Sequence, residues 1–335
     1  MRSISLVFIS ILLFYGCGSK AKVYTLKPAE ISAMSSHKKI YIDRFDGDDI
    51  GFREKLKTSL VELQYNKTPY FEVTYGKSNA LIYGRISHRI RDDVYQNQYI
   101  THFDKNGKKG ERKEHKEIRP YMATKYYNFP HKESQKNFDK KNLASKESVE
   151  VEMCLEREVS LHGNIEIVAN SKIIYIYPID KKVSKKECSY SEYPRVDTQM
   201  LLEDVQYNVI DDFIAKIAPQ KVSYEIDLID SAEKNWTKEQ KNILKNAINF
   251  IEDERYNEAQ QLLVSLVKST NRQSFVALYN LGIVLEAKAK YDEAKLIYKE
   301  ASKLYSKDVG LSIEAINRIT NTQKSEIEAI NEIEK

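Results

Sequence analysis

From about Thr237 onward the apolar residues recur every three or four positions, and one stretch returns thirty-five residues later. Tyr256-Asn257-Glu258-Ala259 reappears as Tyr291-Asp292-Glu293-Ala294, Leu263 as Tyr298, Leu266 as Ala301 and Ala247 as Gly282. A repeat of that length on a 3.6-residue period specifies paired helices stacked side by side. Small residues at Gly282 and Ala294 suit the points where the two helices of a pair cross closely. Residues 237–321 therefore read as an all-helical module. Its first copy is degenerate, with Asn246 at a position the repeat expects to be apolar, and 309–321 supply a closing helix. The polar tail 322–335 is read as a further helix or a frayed end.

The register of the two copies resembles that of the tetratricopeptide repeat. In that family the first helix of each unit lines a concave groove. The resemblance places Lys241, Leu244, Ile248, Val276, Tyr279, Ile283 and Glu286 along it, facing an amphipathic or extended peptide of another protein. Two repeats are few, since such arrays need three or more to bury a continuous core. The same residues could instead dock the module onto the rest of the chain.

Ahead of the module the period is that of strands. Lys39-Ile40-Tyr41-Ile42-Asp43 alternates, then gives way to the turn-rich Asp46-Gly47-Asp48-Asp49 and a helix marked by Phe52, Leu56, Leu60 and Leu63. Strands are expected at Tyr70–Tyr75 and Ala80–Ile86. Residues 87–148 read as a polar insertion in which Tyr95 to Phe103 could continue a strand into an Asp104-Lys105-Asn106-Gly107 turn, and whose charged run, Lys108–Lys116, is a solvated hairpin tip or loop. From Val149 alternation returns, with a slip in phase near Arg157 or Gly163. A turn at 169–172 sends the chain back through Ile173–Ile179. A helix through Met200, Leu201, Val205, Val209, Ile210, Phe213 and Ile217 ends at Pro219, and Val222–Leu228 gives a last strand or connector. The expectation for 39–230 is an α/β domain with a mixed, mainly antiparallel sheet and packed helices. With the helical module the chain is α+β.

Cysteine placement adds a local constraint. In a hairpin centred on Ser171, opposed residues have numbers summing to 342, as Cys154 and Cys188 do. Cross-strand cysteines can reach disulfide geometry; the alternative is a pair of free thiols. Other chemistry is absent from the sequence. The six histidines have no zinc-ligand spacing, and neither a phosphate-binding glycine loop nor a nucleophile elbow occurs. The aspartates at 43, 46, 48 and 49 lack the loop of a calcium hand, and Asp48 or Asp49 is read as capping the helix that follows. No catalytic residue, metal, cofactor or small-molecule substrate is expected. A net charge of +4 on 335 residues is too small for a dedicated nucleic-acid binder.

The chain begins Met1-Arg2, continues through the apolar stretch Ile4–Phe14 and reaches Tyr15-Gly16-Cys17-Gly18-Ser19. One charge and then a short apolar run is the order of a secretory signal, and the run is too short to cross a bilayer. Ending in Gly-Cys, it resembles the bacterial lipoprotein signal. That resemblance implies removal of residues 1–16 and acylation of Cys17 (palmitate among the acyl groups). The stretch 17–38 then becomes a lipidated tether on the periplasmic face of the outer membrane, since Gly18, not Asp, follows the cysteine. An ordinary cleaved signal with an incidental cysteine is the alternative.

Residues 39–86 and 149–219 also resemble the periplasmic domain of curli-secretion and penicillin-binding-protein-activator lipoproteins. The likeness lies in Lys39-Ile40-Tyr41-Ile42, Phe45-Asp46-Gly47-Asp48, Ala80-Leu81-Ile82-Tyr83-Gly84 and the hairpin from Arg157 to Tyr177. With the lipid signal, the repeat module and the lack of a catalytic pattern, the expectation is a non-enzymatic envelope adaptor that binds an unidentified envelope partner through its helical repeats. The alternative is an oligomerising part of an outer-membrane assembly or secretion complex.

Overall fold

The computed structural model describes residues 18–103, 109–118 and 146–335. The signal stretch, Cys17, residues 104–108 and the whole segment 119–145 lie outside the described residues. The chain divides into two compact units, one of Ala33–Ile217 and the other of 18–32 joined with Ala218–Lys335.

The first strand, β1 (Lys20–Lys27), belongs to the second unit. The Ala33–Ile217 unit follows as β2 (Lys39–Asp46), α1 (Phe52–Glu62), the two-residue strands β3 (Gln64–Tyr65) and β4 (Thr68–Pro69), β5 (Glu72–Thr74), β6 (Ala80–Phe103), β7 (Lys109–Ile118), β8 (Lys146–Ala169), β9 (Lys172–Ser189) and α2 (Thr198–Ile217). Its main sheet runs β5-β2-β6-β8-β9, with β7 added to the distal half of β6. β2 pairs in parallel with β5 and β6, and every other pairing in this sheet is antiparallel. The expected α+β class is what the chain adopts.

Local chemistry explains the elements. The Asp48 carboxylate accepts the backbone N–H of Phe52 at 2.8 Å and of Arg53 at 2.9 Å, meeting two of the four donors a helix start leaves open. Phe52, Leu56 and Leu60 then fall on one buried stripe of α1. Helix α2 buries Leu201, Val205, Val209, Phe213 and Ile217 on β8 and β9, and also touches α1, so both helices cover one face of the sheet. That face is apolar through Ile40, Ile82, Ile86, Leu161, Ile165 and Ile167, all essentially without exposure. The free edge of β9 carries Lys172, Lys181, Lys182, Lys185 and Lys186 together with Pro178, residues that discourage pairing with a stray strand.

Several expectations are corrected. Residues 87–103 are no insertion: β6 continues unbroken through them for 24 residues in all. The charged run expected at a hairpin tip or loop lies largely within β7, a strand of the β6–β7 hairpin. The stretch read as a tether, 17–38, holds β1 and a 3-10 turn at Ser32–Ser36. The phase slip falls in β9, between the partners of Ile167 and Val168, not near Arg157 or Gly163.

The second unit pairs β1 antiparallel with β10 (Gln220–Asp227) along their full lengths, Lys20 opposite Asp227 and Lys27 opposite Gln220. The strand at the end of the expected α/β domain thus belongs with the helices. These are α3 (Lys238–Glu252), α4 (Tyr256–Ser269), α5 (Phe275–Ala287), α6 (Tyr291–Ala301) and α7 (Val309–Glu334), each packed on the next except α7, which closes the series. Tyr256 and Tyr291, thirty-five positions apart, open α4 and α6 in equivalent places. A Cβ on Gly282 would stand 2.5 Å from the Tyr298 ring, which is why the position takes no larger residue. The polar tail from 322 continues α7 as one 26-residue helix.

Candidate functional site

α5 is apolar around nearly its whole circumference, and all but its last residue are buried. Such a helix needs neighbours on every side, and it has them: α4, α6, α7 and, across the expected groove, β1. Of the seven groove residues, Leu244, Ile248, Val276, Tyr279, Ile283 and Glu286 are buried, while Lys241 is exposed. β1 packs against α3, α5 and α7 and places Ala21 and Val23 in the same core as those residues, with Ile226 of β10. The groove is therefore not open to a partner peptide. The chain's own β-ribbon fills it, because alternation along β1 presents an apolar edge that suits the first helices.

Polar contacts fix the ribbon there. The Tyr224 hydroxyl of β10 donates to Glu286 Oε1 at 2.8 Å, and Tyr298 donates to Oε2 at 3.0 Å. Arg318 of α7 adds a bidentate pair at 2.8 and 2.9 Å. A fully buried carboxylate is tolerable only when its oxygens are satisfied in this way. Burial, and then the charge on Glu286, raise the Tyr224 and Tyr298 pKa values above the usual tyrosine range, so both remain donors. Burial pulls the Arg318 pKa down, but the bonds and charge of Glu286 outweigh it and hold the guanidinium ionised. At the far end of the ribbon, Asn280 exchanges two hydrogen bonds with the backbone of Ile229, and Tyr256 donates to the carbonyl of Lys22.

The cysteines form a second cluster. Cys154 and Cys188 are direct register partners with sulfurs 2.10 Å apart, the spacing of a disulfide. Cys154 is fully buried and Cys188 half-buried. Tyr95 and Asn97 of β6 lie opposite Cys154 and Glu152. The Asn97 amide nitrogen reaches Cys154 Sγ at 3.2 Å and Glu152 Oε2 at 3.3 Å, and Tyr99 donates to the same carboxylate oxygen at 3.0 Å. The Asn97 side-chain oxygen is buried without a partner.

A third group lies on the sheet face that turns away from α1 and α2, and sequence reasoning did not find it. His162 approaches Asp180 through Nδ1 and Ser160 Oγ through Nε2, both at 3.1 Å. The order is that of a hydrolytic triad, but two features remove the chemistry. The Asp180 side chain is 87% exposed, so its hold on the imidazole is weak. Strands flank β8 on both sides, which commits the N–H groups around Ser160 to the ladder and leaves none for an oxyanion.

Set against known protein families, characterised proteins and solved structures, the chain finds no match in any of the three comparisons.

Proposed function

We propose that this protein is a lipid-anchored scaffold of the bacterial cell envelope, held at Cys17 on the periplasmic face of the outer membrane and acting through contacts with other proteins. The observation that carries the reading is the position of β1. Lys20 opens the strand three residues after Cys17, and the Ser19 carbonyl already accepts the N–H of Leu228 at 2.9 Å. Consecutive Cα atoms are about 3.8 Å apart, so an acylated Cys17 lies within roughly 8 Å of Ser19. The tether is then a single residue, Gly18, and the tetratricopeptide-like unit sits against the bilayer. Among the described residues no helix is long and apolar enough to cross a membrane, so attachment in this reading is by lipid alone. With the first-helix groove filled from within, partners are taken on the outer faces of the helices or along the sheet.

The test is a Cys17→Ser variant expressed in a bacterium that processes lipoproteins. Wild type is expected in the detergent phase after phase separation, and the variant is expected to lose nearly all of it, because anchoring takes two or more acyl chains. Equal partitioning of both proteins contradicts the anchor.

A second reading, assembly of several copies into a membrane complex, is favoured by the 24-residue strands β6 and β8. Each spans roughly 80 Å, several times an ordinary strand. β7 and β9 leave outer edges unpaired among the described residues, and exposed edges can add strands from another copy. A native mass in detergent that is a large multiple of the 39.0 kDa chain supports assembly, and a monomer mass excludes it.

A further inference from the structure

We propose that the Cys154–Cys188 pair is a redox-gated metal site: oxidised it is closed as a disulfide, and reduced it binds one thiolate-seeking divalent cation of the zinc type. The donors already converge. Glu152 Oε2 lies 4.0 Å from Cys154 Sγ, and the potential ligand atoms of Glu152, Cys154 and Cys188 all fall within 4.8 Å of one another. Two thiolates with a carboxylate are a donor set suited to zinc, at Zn–S about 2.3 Å and Zn–O about 2.0–2.2 Å. Tetrahedral zinc needs its two sulfurs roughly 3.8 Å apart. Directly opposed residues of an antiparallel pair, with Cβ atoms about 4.5–5.5 Å apart, allow that by side-chain rotation without moving the strands.

Asn97 supplies the independent observation. Its side chain is 3% exposed, its nitrogen faces Cys154 and Glu152, and its oxygen has no partner. A buried amide oxygen left unpaired is costly and rare. Toward a disulfide and a carboxylate, both acceptors, the amide must turn its N–H groups. Toward a cation it turns the oxygen, which then stands where the nitrogen now is and completes a fourth position. The same side chain serves both states.

The chemistry balances. A dithiol reductant gives two electrons and two protons to the S–S bond and is itself oxidised to a disulfide, leaving two thiols on the protein. The incoming cation displaces both thiol protons, which pass to solvent. In the reverse step a disulfide oxidant takes two electrons from the thiolates and is itself reduced to a dithiol, the S–S bond re-forms, and the cation is released to solvent.

The experiment uses the full chain, reduced anaerobically and freed of reductant, titrated with Zn2+ against a chromogenic chelator. The expected result is one equivalent bound at least about 100-fold more tightly by the reduced protein than by the oxidised, with Glu152→Gln and Asn97→Ala each weakening reduced-state binding roughly 10-fold or more. Co2+ provides a second readout, since tetrahedral thiolate coordination gives charge-transfer and intense d–d bands, and the unchanged sheet signal of circular dichroism checks that the reduced hairpin keeps its fold. Equal affinity in the two redox states, no tetrahedral Co2+ spectrum, or indifference to Glu152→Gln and Asn97→Ala would each overturn the proposal.

Discussion

Glu286→Ala is expected to cost the helical unit about 3–5 kcal/mol, the penalty for removing one partner of a buried ion pair. The side chain has no exposure and satisfies three donors from three elements: Tyr224 of β10, Tyr298 of α6 and Arg318 of α7. Removal leaves the buried Tyr298 hydroxyl and the partly buried Tyr224 hydroxyl and Arg318 guanidinium without their shared acceptor. It also cuts a polar link between ribbon and helices, so the loss spreads beyond α5. Urea unfolding followed by helical circular dichroism tests this. The transition of the helical unit moves to much lower denaturant, while the Ala33–Ile217 unit, which Glu286 does not belong to, keeps its own midpoint. A shift below about 1 kcal/mol, the worth of a solvated pair, means the cluster is open to water.

Gly163→Ala carries the second large effect, about 4 kcal/mol, from backbone strain and overpacking acting together. Gly163 has φ near +147°, a conformation that L side chains rarely adopt, and a Cβ there would stand 1.9 Å from the Arg85 carbonyl oxygen. On β6, Gly84 shows why the strands come so close: its own Cβ would meet the Asn164 carbonyl oxygen at 2.1 Å and the Phe45 ring at 2.9 Å. The pair of glycines lets β6, β8 and the Phe45 ring share one crowded spot in the sheet. Gly76→Ala is the control, since nothing lies within 4 Å of that position. Thermal unfolding of both variants separates the accounts: a large loss for Gly163→Ala beside near-neutral Gly76→Ala is expected, and equal small losses contradict it.

What was legible in the sequence was local. Helices α3 to α6 announce themselves because their apolar period and thirty-five-residue shift need only neighbouring residues to be seen. The Cys154–Cys188 register follows from counting outward from one hairpin turn, although the count reaches 342 only because β9 holds an extra residue near Ile174. The same count sets His162 opposite Asp180, a pairing that neither residue signals on its own. β1 was missed for the opposite reason. Lys20-Ala21-Lys22-Val23 alternates as a strand should, but its partner β10 lies about two hundred residues away, and no local window shows the pairing. Without β1 the groove of α3 and α5 looked open. β7 was hidden by composition: Lys, Glu and Arg in alternation suit a solvated loop and an exposed strand equally well, and only pairing with β6 decides between them.

We propose that lipid at Cys17 tethers the chain to a membrane, immediately ahead of the strand that fills the helical groove. Intact mass of the protein purified from its native membrane tests it most directly. The expected result is a mature chain that begins at Cys17, carries acyl groups there and gains two hydrogens on reduction as the Cys154–Cys188 bond opens. A chain that begins elsewhere, or that carries Cys17 unmodified, contradicts it.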